Sequence, residues 1–279
     1  MPTSTAPALL ARLVDDAGLF PPERLPMDAA LTRHRADAAA HHPVLTHRFL
    51  CPASRLQELA EHFQPDDDLA LGLIADTGPA RLGEAVAAAT DLAPLARLEQ
   101  VESPVPDDVD VRDGARFAGD AVPAAIPLYV ELPRRPGWLD ALPQLADTGR
   151  GAKVRCGGTD DAMFPTPDEL AEFLVAAAAA GVAVKATAGL HHAVRHRDAR
   201  TGFTHHGFLN LLVAAVRAVD GGSADDVRAV LAETDGAALA EAAREVDDAT
   251  AARARGLLVG YGSCSTSEPL DDLAALGLA

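Results

Sequence analysis

Short apolar segments alternate with stretches of helical apolar spacing along this chain, and that alternation limits the fold more than any other feature. Eight segments have the character of strands, at 18–20, 45–51, 69–75, 97–101, 126–132, 152–156, 182–186 and 257–261. Helical spacing lies near 27–41, 54–63, 79–93, 111–120, 137–147, 167–180, 206–253 (two or three helices) and 268–276. Eight strands that alternate with helices predict an α/β protein with a (β/α)8 TIM barrel.

Local signals agree with this layout. The runs LALGLIA (69–75) and LLVGY (257–261) are apolar throughout, as in parallel strands that are buried on both faces. Thr166 with Glu169 and Ser54 with Gln57 both match the capping box that begins a helix. The alternative fold is an open doubly wound sheet, but neither GxGxxG nor GxxxxGK[ST] follows a strand. No Gly/Ser-rich linker divides the chain, so we predict one domain over 1–279 with an acidic helical insertion at 220–250, before the eighth strand.

Charge and apolar patterning restrict the partners. The chain has 41 acidic and 24 basic residues, a net charge of −17. A phosphate backbone requires a basic surface, so we expect no nucleic-acid partner. The longest apolar run, at 174–184, is too short to span a bilayer, and the first residues lack a signal-peptide pattern. We therefore expect no membrane association and a cytoplasmic location, and we leave a homodimer open.

Lysine is unusually rare among the basic residues. Of the 24, only Lys153 and Lys185 are lysines. A GC-rich coding bias would produce this pattern, because it replaces lysine with arginine wherever a positive charge is sufficient. Lysine can lose its proton and form a Schiff base, whereas a guanidinium stays protonated. Both lysines fall on adjacent predicted strands near their C-terminal ends, where barrels of this type place their chemistry. We predict a catalytic lysine with a cationic neighbour; the alternative is a structural ion pair, for instance of Lys153 with Glu131.

Strand alternation predicts which polar residues accompany the lysines. Glu131 follows Tyr129 on one face of the fifth predicted strand, and Arg155 follows Lys153 on one face of the sixth. Arg48 projects from the end of the second. We expect Arg48 and Arg155 to make a positive mouth that binds a phosphate or carboxylate through bidentate contacts. Alternatively, these arginines pair with carboxylates of the protein. Such pairing is compatible with anion binding.

Three strand ends resemble those of class I aldolase barrels of the deoxyribose-phosphate aldolase type: KVRCG (153–157), VKATAG (184–189) and GYGSCS (260–265). The resemblance implies that Lys153 is the Schiff-base lysine and that Lys185 lowers its pKa. It also implies an anion cradle, made by Gly189, Gly262 and Ser263.

The sequence departs from that family at defined places. Arg155 stands where the family has a small hydroxyl residue, and GLHH (189–192) stands where it has a phosphate-binding turn. No definite residue matches the family's aspartate on strand four. DAGLFPP (16–22) and GLHH also resemble an uncharacterised bacterial family, which implies a sibling of the aldolases.

A polar loop at 191–206 is rich in histidine. His191, His192, His196, His205 and His206 fall within it, without HxH or HExxH spacing. We expect His191 to move protons and His192 or His206 to contact substrate; a metal site and a solvated loop are the alternatives. The following helix should direct its N-terminus, which favours an anion, at the mouth. Asn210, the only asparagine, lies there and is a further substrate-binding candidate.

These features together predict an aldolase-type lyase that acts on a small anionic carbonyl compound. Lys153 attacks the carbonyl, Lys185 and Arg155 lower its pKa, and Glu131 or His191 moves protons. No organic cofactor is needed. A metal-assisted lyase or isomerase that uses the loop at 191–206, and a sugar-phosphate-binding barrel without turnover, are the alternatives. Cys156 and Cys264 at strand ends are expected to be buried fillers.

Overall fold

Eight parallel strands close into a barrel in the computed structural model, which describes residues 8–117 and 121–278. The barrel strands are β1 (Val14–Asp16), β2 (Leu45–Pro52), β3 (Leu69–Ile74), β4 (Ala96–Pro104), β5 (Leu128–Glu131), β6 (Gly151–Arg155), β7 (Val184–Thr187) and β10 (Leu258–Ser263). Neighbours follow the chain order, and β1 pairs with β10 to close the ring. The predicted (β/α)8 barrel is confirmed. The short strands β8 (His196–Arg197) and β9 (Thr204–His205) form a separate antiparallel pair.

Helices connect the strands. They are α1 (Met27–Ala40), α2 (Leu56–Glu61), α3 (Leu82–Thr90), α4 (Val111–Phe117), α5 (Leu142–Thr148), α6 (Pro167–Ala180), α7 (Phe208–Val219), α8 (Ala224–Ala232), α9 (Gly236–Arg244), α10 (Asp248–Leu257) and α11 (Ser267–Ala275). None of the described helices is long and apolar enough to cross a membrane.

The segment between β9 and β10 contains four helices, where two or three were expected. The extra breaks occur at polar residues that cap the following helix. Ser223 forms a capping box with Asp226 at the start of α8, and the side chains of Asp235 and Asp247 accept backbone N–H groups at the starts of α9 and α10. Each cap satisfies amide donors that a helix leaves unpaired at its N-terminus, so it begins a new helix.

Two local predictions are wrong. The first strand is Val14–Asp16, not 18–20, because Asp15 and Asp16 form strand positions despite the low strand propensity of aspartate. Their buried carboxylates are bound by arginine side chains, Asp15 by Arg48 and Asp16 by Arg33.

The capping box at Ser54 does not form, because the amide and hydroxyl of Ser54 both donate to Asp76. The box of Thr166 and Glu169 is confirmed.

The two faces of the barrel strands differ in character. The outward side chains, such as Val130, Val154 and Ala186, are fully buried and belong to the apolar core that includes the helices. The inward side chains include Lys153 and Lys185, which are also almost fully buried. Branched apolar residues usually fill the interior of such a barrel. This interior instead contains charged groups, and they form the candidate site.

Candidate active site

Lys153 lies in the middle of β6 with its ammonium group between two carboxylates. Its Nζ is 2.7 Å from Oε2 of Glu102 on β4 and 3.0 Å from Oε2 of Glu131 on β5. The strand register pairs Glu131 directly with Lys153. The pairing of Lys153 with Glu131, which the sequence offered as an alternative, is therefore present, and a second carboxylate accompanies it.

Lys185 occupies the equivalent position on β7 and is the register partner of Lys153. Its Nζ is 2.6 Å from Oε1 of Glu102 and also binds Asp15 on β1. Glu102 therefore bridges the two lysines, with one oxygen on each. The two amines share a carboxylate in a site where the side-chain exposure is 6% or less.

Ion pairs extend from this centre toward both ends of the barrel. On one side, Nε of Arg155 is 2.9 Å from Oε1 of Glu131. On the other, Arg48 binds Asp15 and Glu99, at 2.9 Å and 3.2 Å. We call this series the charge network; in spatial order it consists of Glu99, Arg48, Asp15, Lys185, Glu102, Lys153, Glu131 and Arg155.

The charge network fixes the protonation state of its central groups. Burial would raise the pKa of Glu102, but Lys153 and Lys185 lower that pKa to about 2. Burial would lower the pKa of Lys153, but Glu102 and Glu131 outweigh it and raise that pKa above its usual value. The expectation that Lys185 and Arg155 lower the pKa of Lys153 is wrong, because Glu102 and Glu131 form ion pairs with the amine and raise its pKa.

Glu102 is the central residue that the sequence analysis missed. The fourth strand was predicted to end at 101, whereas β4 continues to Pro104. Gln100 and Glu102 therefore face the interior together, and Nε2 of Gln100 donates to Oε1 of Glu102 at 2.9 Å. A period of two continued beyond 101 would have identified Glu102 as an inward-facing carboxylate on strand four.

Arg48 does not lie at the mouth with Arg155. Its guanidinium lines a cavity of about 230 Å³ together with Arg12, Pro127 and Arg255, all of which precede barrel strands in the chain. That cavity is therefore at the amino-terminal end of the barrel, whereas Arg155 is the last residue of β6. The structure thus corrects the expected positive mouth: the two arginines occupy opposite ends of the charge network.

His191 contacts a different group of residues. Its Nδ1 is 3.4 Å from Oε2 of Glu268 and 3.7 Å from Sγ of Cys264, which follows β10. Burial lowers the pKa of His191, although Glu268 opposes the shift. Burial raises the pKa of Cys264 to about 11 and that of Cys156 to about 12, so both thiols stay protonated at neutral pH.

Three further candidates have structural partners. Nδ1 of His192 is 3.2 Å from Oδ2 of Asp272. His206 is fully buried, its Nε2 lies 2.8 Å from the carbonyl of Pro165, and burial lowers its pKa to about 4. Asn210 accepts from the amide of Arg195 and donates to two carbonyls of the α8 region. These contacts account for His206 and Asn210 without a substrate.

The N-terminus of α7 is also occupied. The amides of Phe208 and Leu209 donate to the carbonyls of His192 and Ala193, each at 3.0 Å. The first amides of the helix are therefore bound by the preceding loop. The expected anion site at this helix end is not available in this arrangement.

The glycines of the expected anion cradle are explained by close packing. Gly189 has φ +69°, and a Cβ there would lie 2.7 Å from the carbonyl oxygen of Cys156. A Cβ on Gly262 would lie 3.0 Å from Cδ1 of Leu50. The hydroxyl of Ser263 is buried and has no hydrogen-bond partner in the described part of the chain. A role of these residues in binding an anion stays a prediction.

The histidine-rich loop does not fit a metal centre. Within residues 8–117 and 121–278, no three His, Cys, Asp or Glu side chains are arranged to hold a metal ion. The rings of His192 and His196 pack edge-to-face at 4.8 Å, and that of His205 lies 5.3 Å from His196. We therefore derive no step through a metal.

No known family model matches the chain, and no curated protein matches it either. The barrel and its charge network are thus the basis on which a function is proposed.

Proposed function

We propose that this protein is an aldolase-type lyase that forms a Schiff base between Lys153 and a small anionic carbonyl compound. The observation that carries the proposal is the position of the Lys153 amine between Glu102 and Glu131, below a guanidinium at the mouth. The resemblance of the strand ends to class I aldolases supports the same assignment. The cytoplasmic location and the homodimer remain predictions.

Exposure along the charge network supports Lys153, and not Lys185, as the nucleophile. The side-chain exposure rises from 2% at Lys185 to 6% at Lys153, 17% at Glu131 and 41% at Arg155. A substrate that enters from the mouth therefore meets Arg155 first and Lys153 next. Lys185 lies deeper and is bound by Asp15 and Glu102.

Arg155 can hold the anionic part of the substrate. Only its Nε binds Glu131, and its two terminal nitrogens have no partner among the described residues. A guanidinium with two free nitrogens can bind a carboxylate or phosphate in bidentate geometry. In this proposal the anion binds at the mouth and the carbonyl carbon faces Lys153.

Glu131 is placed to move the proton that Lys153 must lose before it can attack. The ammonium passes one proton by way of Glu131 to the solvent at the mouth, and the free amine forms a C–N bond with the carbonyl carbon. A nitrogen proton moves to the carbonyl oxygen, which gives a neutral carbinolamine. Glu131 then passes a proton from the solvent to the hydroxyl group, water leaves, and an iminium ion remains with Glu131 ionised.

The two carboxylates stabilise the product of this step as well as the resting lysine. The nitrogen carries one positive charge both as an ammonium and as an iminium. Glu102 and Glu131 therefore stabilise the iminium through the same contacts that raise the pKa of Lys153. The iminium withdraws electrons from the neighbouring C–C or C–H bond, so it permits C–C cleavage, C–C formation or enolisation.

Lys185 acts as a positioning residue in this scheme. With Lys153 it lowers the pKa of Glu102 to about 2, so Glu102 stays ionised through the reaction. A permanently charged Glu102 stabilises the cation but does not take its proton. Glu131 relays the proton because its side chain is 17% exposed, against 2% for Glu102, and so lies nearer the mouth.

A second candidate function is a sugar-phosphate-binding barrel without turnover. The specific observation in its favour is that each lysine amine is bound by two carboxylates, as in a closed structural ion-pair network. In that case the carboxylates keep Lys153 protonated, and neither lysine forms a covalent adduct.

Reductive trapping separates the two candidates. The full-length protein is incubated with small aldehydes, keto acids and sugar phosphates, treated with borohydride, and analysed by intact-mass and peptide mass spectrometry. Because the chain has only two lysines, one mapping experiment assigns the site. We expect an adduct on Lys153 and none on Lys185. The absence of an adduct with every carbonyl compound would favour the binding barrel.

A further inference from the structure

The cavity at the amino-terminal end of the barrel has an unusual wall. About 230 Å³ in volume, it is lined by four cationic side chains and two carboxylates. The cations are Arg12, Arg48, Lys185 and Arg255, and the carboxylates are Asp15 and Glu99. We propose that this cavity binds a phosphate group, at a site separate from the barrel mouth. This inference does not rest on the proposed function.

Both carboxylates of the wall are already neutralised. Asp15 accepts from Thr46 and Arg48 and binds Lys185. Glu99 binds Arg48 and Arg97. Their negative charges are therefore balanced by these partners and do not neutralise Arg12 and Arg255.

Two arginines of the wall consequently lack a carboxylate partner within the described residues. Arg255 donates only to backbone carbonyls, among them those of Arg12 at 2.9 Å and Val259 at 2.8 Å. The guanidinium of Arg12 has neither an ion pair nor a hydrogen bond in the same part of the chain. A cavity with this excess of positive charge, in a protein of net charge −17, attracts an anion.

Unused donors in the wall point to an oxyanion. The Nε atom of Arg48 is buried and has no hydrogen-bond partner among the described residues. The N–H groups of the Arg12 guanidinium are likewise unpaired in residues 8–117 and 121–278, and Tyr129 of β5 lines the same wall. A buried donor without a partner is unfavourable, and oxygen atoms of a phosphate satisfy several donors at once.

The size of the cavity agrees with a small ligand. A volume of about 230 Å³ has room for a phosphate group with part of its hydration shell. Water alone would fill the volume but would not neutralise Arg12 and Arg255. The phosphate group can come from free inorganic phosphate or from a small phosphate monoester.

Isothermal titration calorimetry with the full-length protein tests the site. Inorganic phosphate and glycerol phosphate are titrated separately at constant ionic strength set with sodium chloride. We expect saturable binding of at least one of them. Tighter binding of inorganic phosphate would identify the free ion as the source, and tighter binding of glycerol phosphate a monoester.

Arg12→Gln and Arg24→Gln form a matched pair of variants. Both arginines are exposed, form no ion pair with any residue that the structure describes, and have positive φ values of 49° and 48°. Arg12→Gln should weaken phosphate binding about tenfold or more, because it removes charge-assisted hydrogen bonds. Arg24→Gln should leave the affinity unchanged. Tyr129→Phe, which removes only one hydroxyl group, should weaken binding by a smaller factor.

Two results would overturn the proposal. One is the absence of saturable binding of either phosphate compound. The other is binding that Arg155→Gln abolishes and Arg12→Gln does not affect, because that result would place the anion at the mouth. Neither result bears on whether Lys153 forms a Schiff base.

Discussion

Lys153 and Lys185 are direct register partners on adjacent parallel strands, and Glu102 binds both of them. Two ammonium groups this close repel each other in an interior of low dielectric constant. The shared carboxylate lies between the two groups and offsets this repulsion. The stability of the barrel interior and the proposed reactivity of Lys153 therefore depend on the same residue.

Glu102→Gln should destabilise the fold strongly. The amide keeps the size of the side chain but leaves two buried ammonium groups without their shared counter-charge. Removal of one partner from a buried ion pair costs about 3–5 kcal/mol. Denaturant unfolding measures this loss. Glu84→Gln is the matched control, because Glu84 is 73% exposed and pairs with exposed Arg81, so its effect should be within about 1 kcal/mol. Equal effects of the two substitutions would contradict the assigned role of Glu102.

The free energy of unfolding should fall as the pH is lowered from about 4.5 to about 2. The pKa of Glu102 is about 2 in the folded protein, against an unperturbed value of 4.5. A lowered folded-state pKa contributes stability above the unfolded-state pKa and loses it as the pH falls toward the folded-state value. The loss from Glu102 alone is of the order of 3 kcal/mol. Urea unfolding at several pH values tests this, and the wild type should lose more stability over this range than Glu102→Gln does.

The rate of Schiff-base formation should rise with pH. Glu102 and Glu131 raise the pKa of Lys153 above 10.5, so the free amine is a small fraction at neutral pH. Below that pKa, the fraction of free amine increases about tenfold per pH unit. The initial rate of adduct formation between pH 6 and 9, measured by mass spectrometry in the presence of cyanoborohydride, should follow this slope. A plateau near pH 7 would mean that the pKa of Lys153 is lowered, contrary to the geometry of the network.

Asn210→Ala should affect stability and leave trapping at Lys153 intact. The side-chain amide of Asn210 satisfies the amide of Arg195 and the carbonyls of Val230 and Glu233. Each buried polar group left without a partner costs about 1–3 kcal/mol. Thermal unfolding should show a clear loss, while the adduct yield of the folded fraction stays at the wild-type level. A normal melting temperature with a lost adduct would instead assign Asn210 to substrate binding.

The barrel could be predicted because its apolar runs and helical stretches alternate regularly. The period of two also predicted which residues share a strand face with Glu131, Lys153 and Lys185, and the register pairs Lys153 with both of the others. β1 was not predicted because Asp15 and Asp16 have low strand propensity. Their burial is made favourable by Arg48 and Arg33, which are distant in sequence.

The electrostatics of the site could not be predicted from spacing. The pKa of Lys153 depends on which charges lie closest in space, and Glu102 and Glu131 come from two other strands. Arg48 presents a similar difficulty: its position near a strand end does not reveal that its guanidinium extends toward Glu99 at the opposite end of the barrel.

The most direct test compares borohydride trapping in the wild type, Lys153→Arg and Lys185→Arg. Arginine retains the positive charge between the carboxylates but does not form a Schiff base, and thermal unfolding confirms that each variant is folded. With a carbonyl compound that modifies the wild type, we expect an adduct of the same mass on Lys185→Arg and none on Lys153→Arg. An adduct that persists in folded Lys153→Arg, or that maps to Lys185 in the wild type, would contradict this expectation.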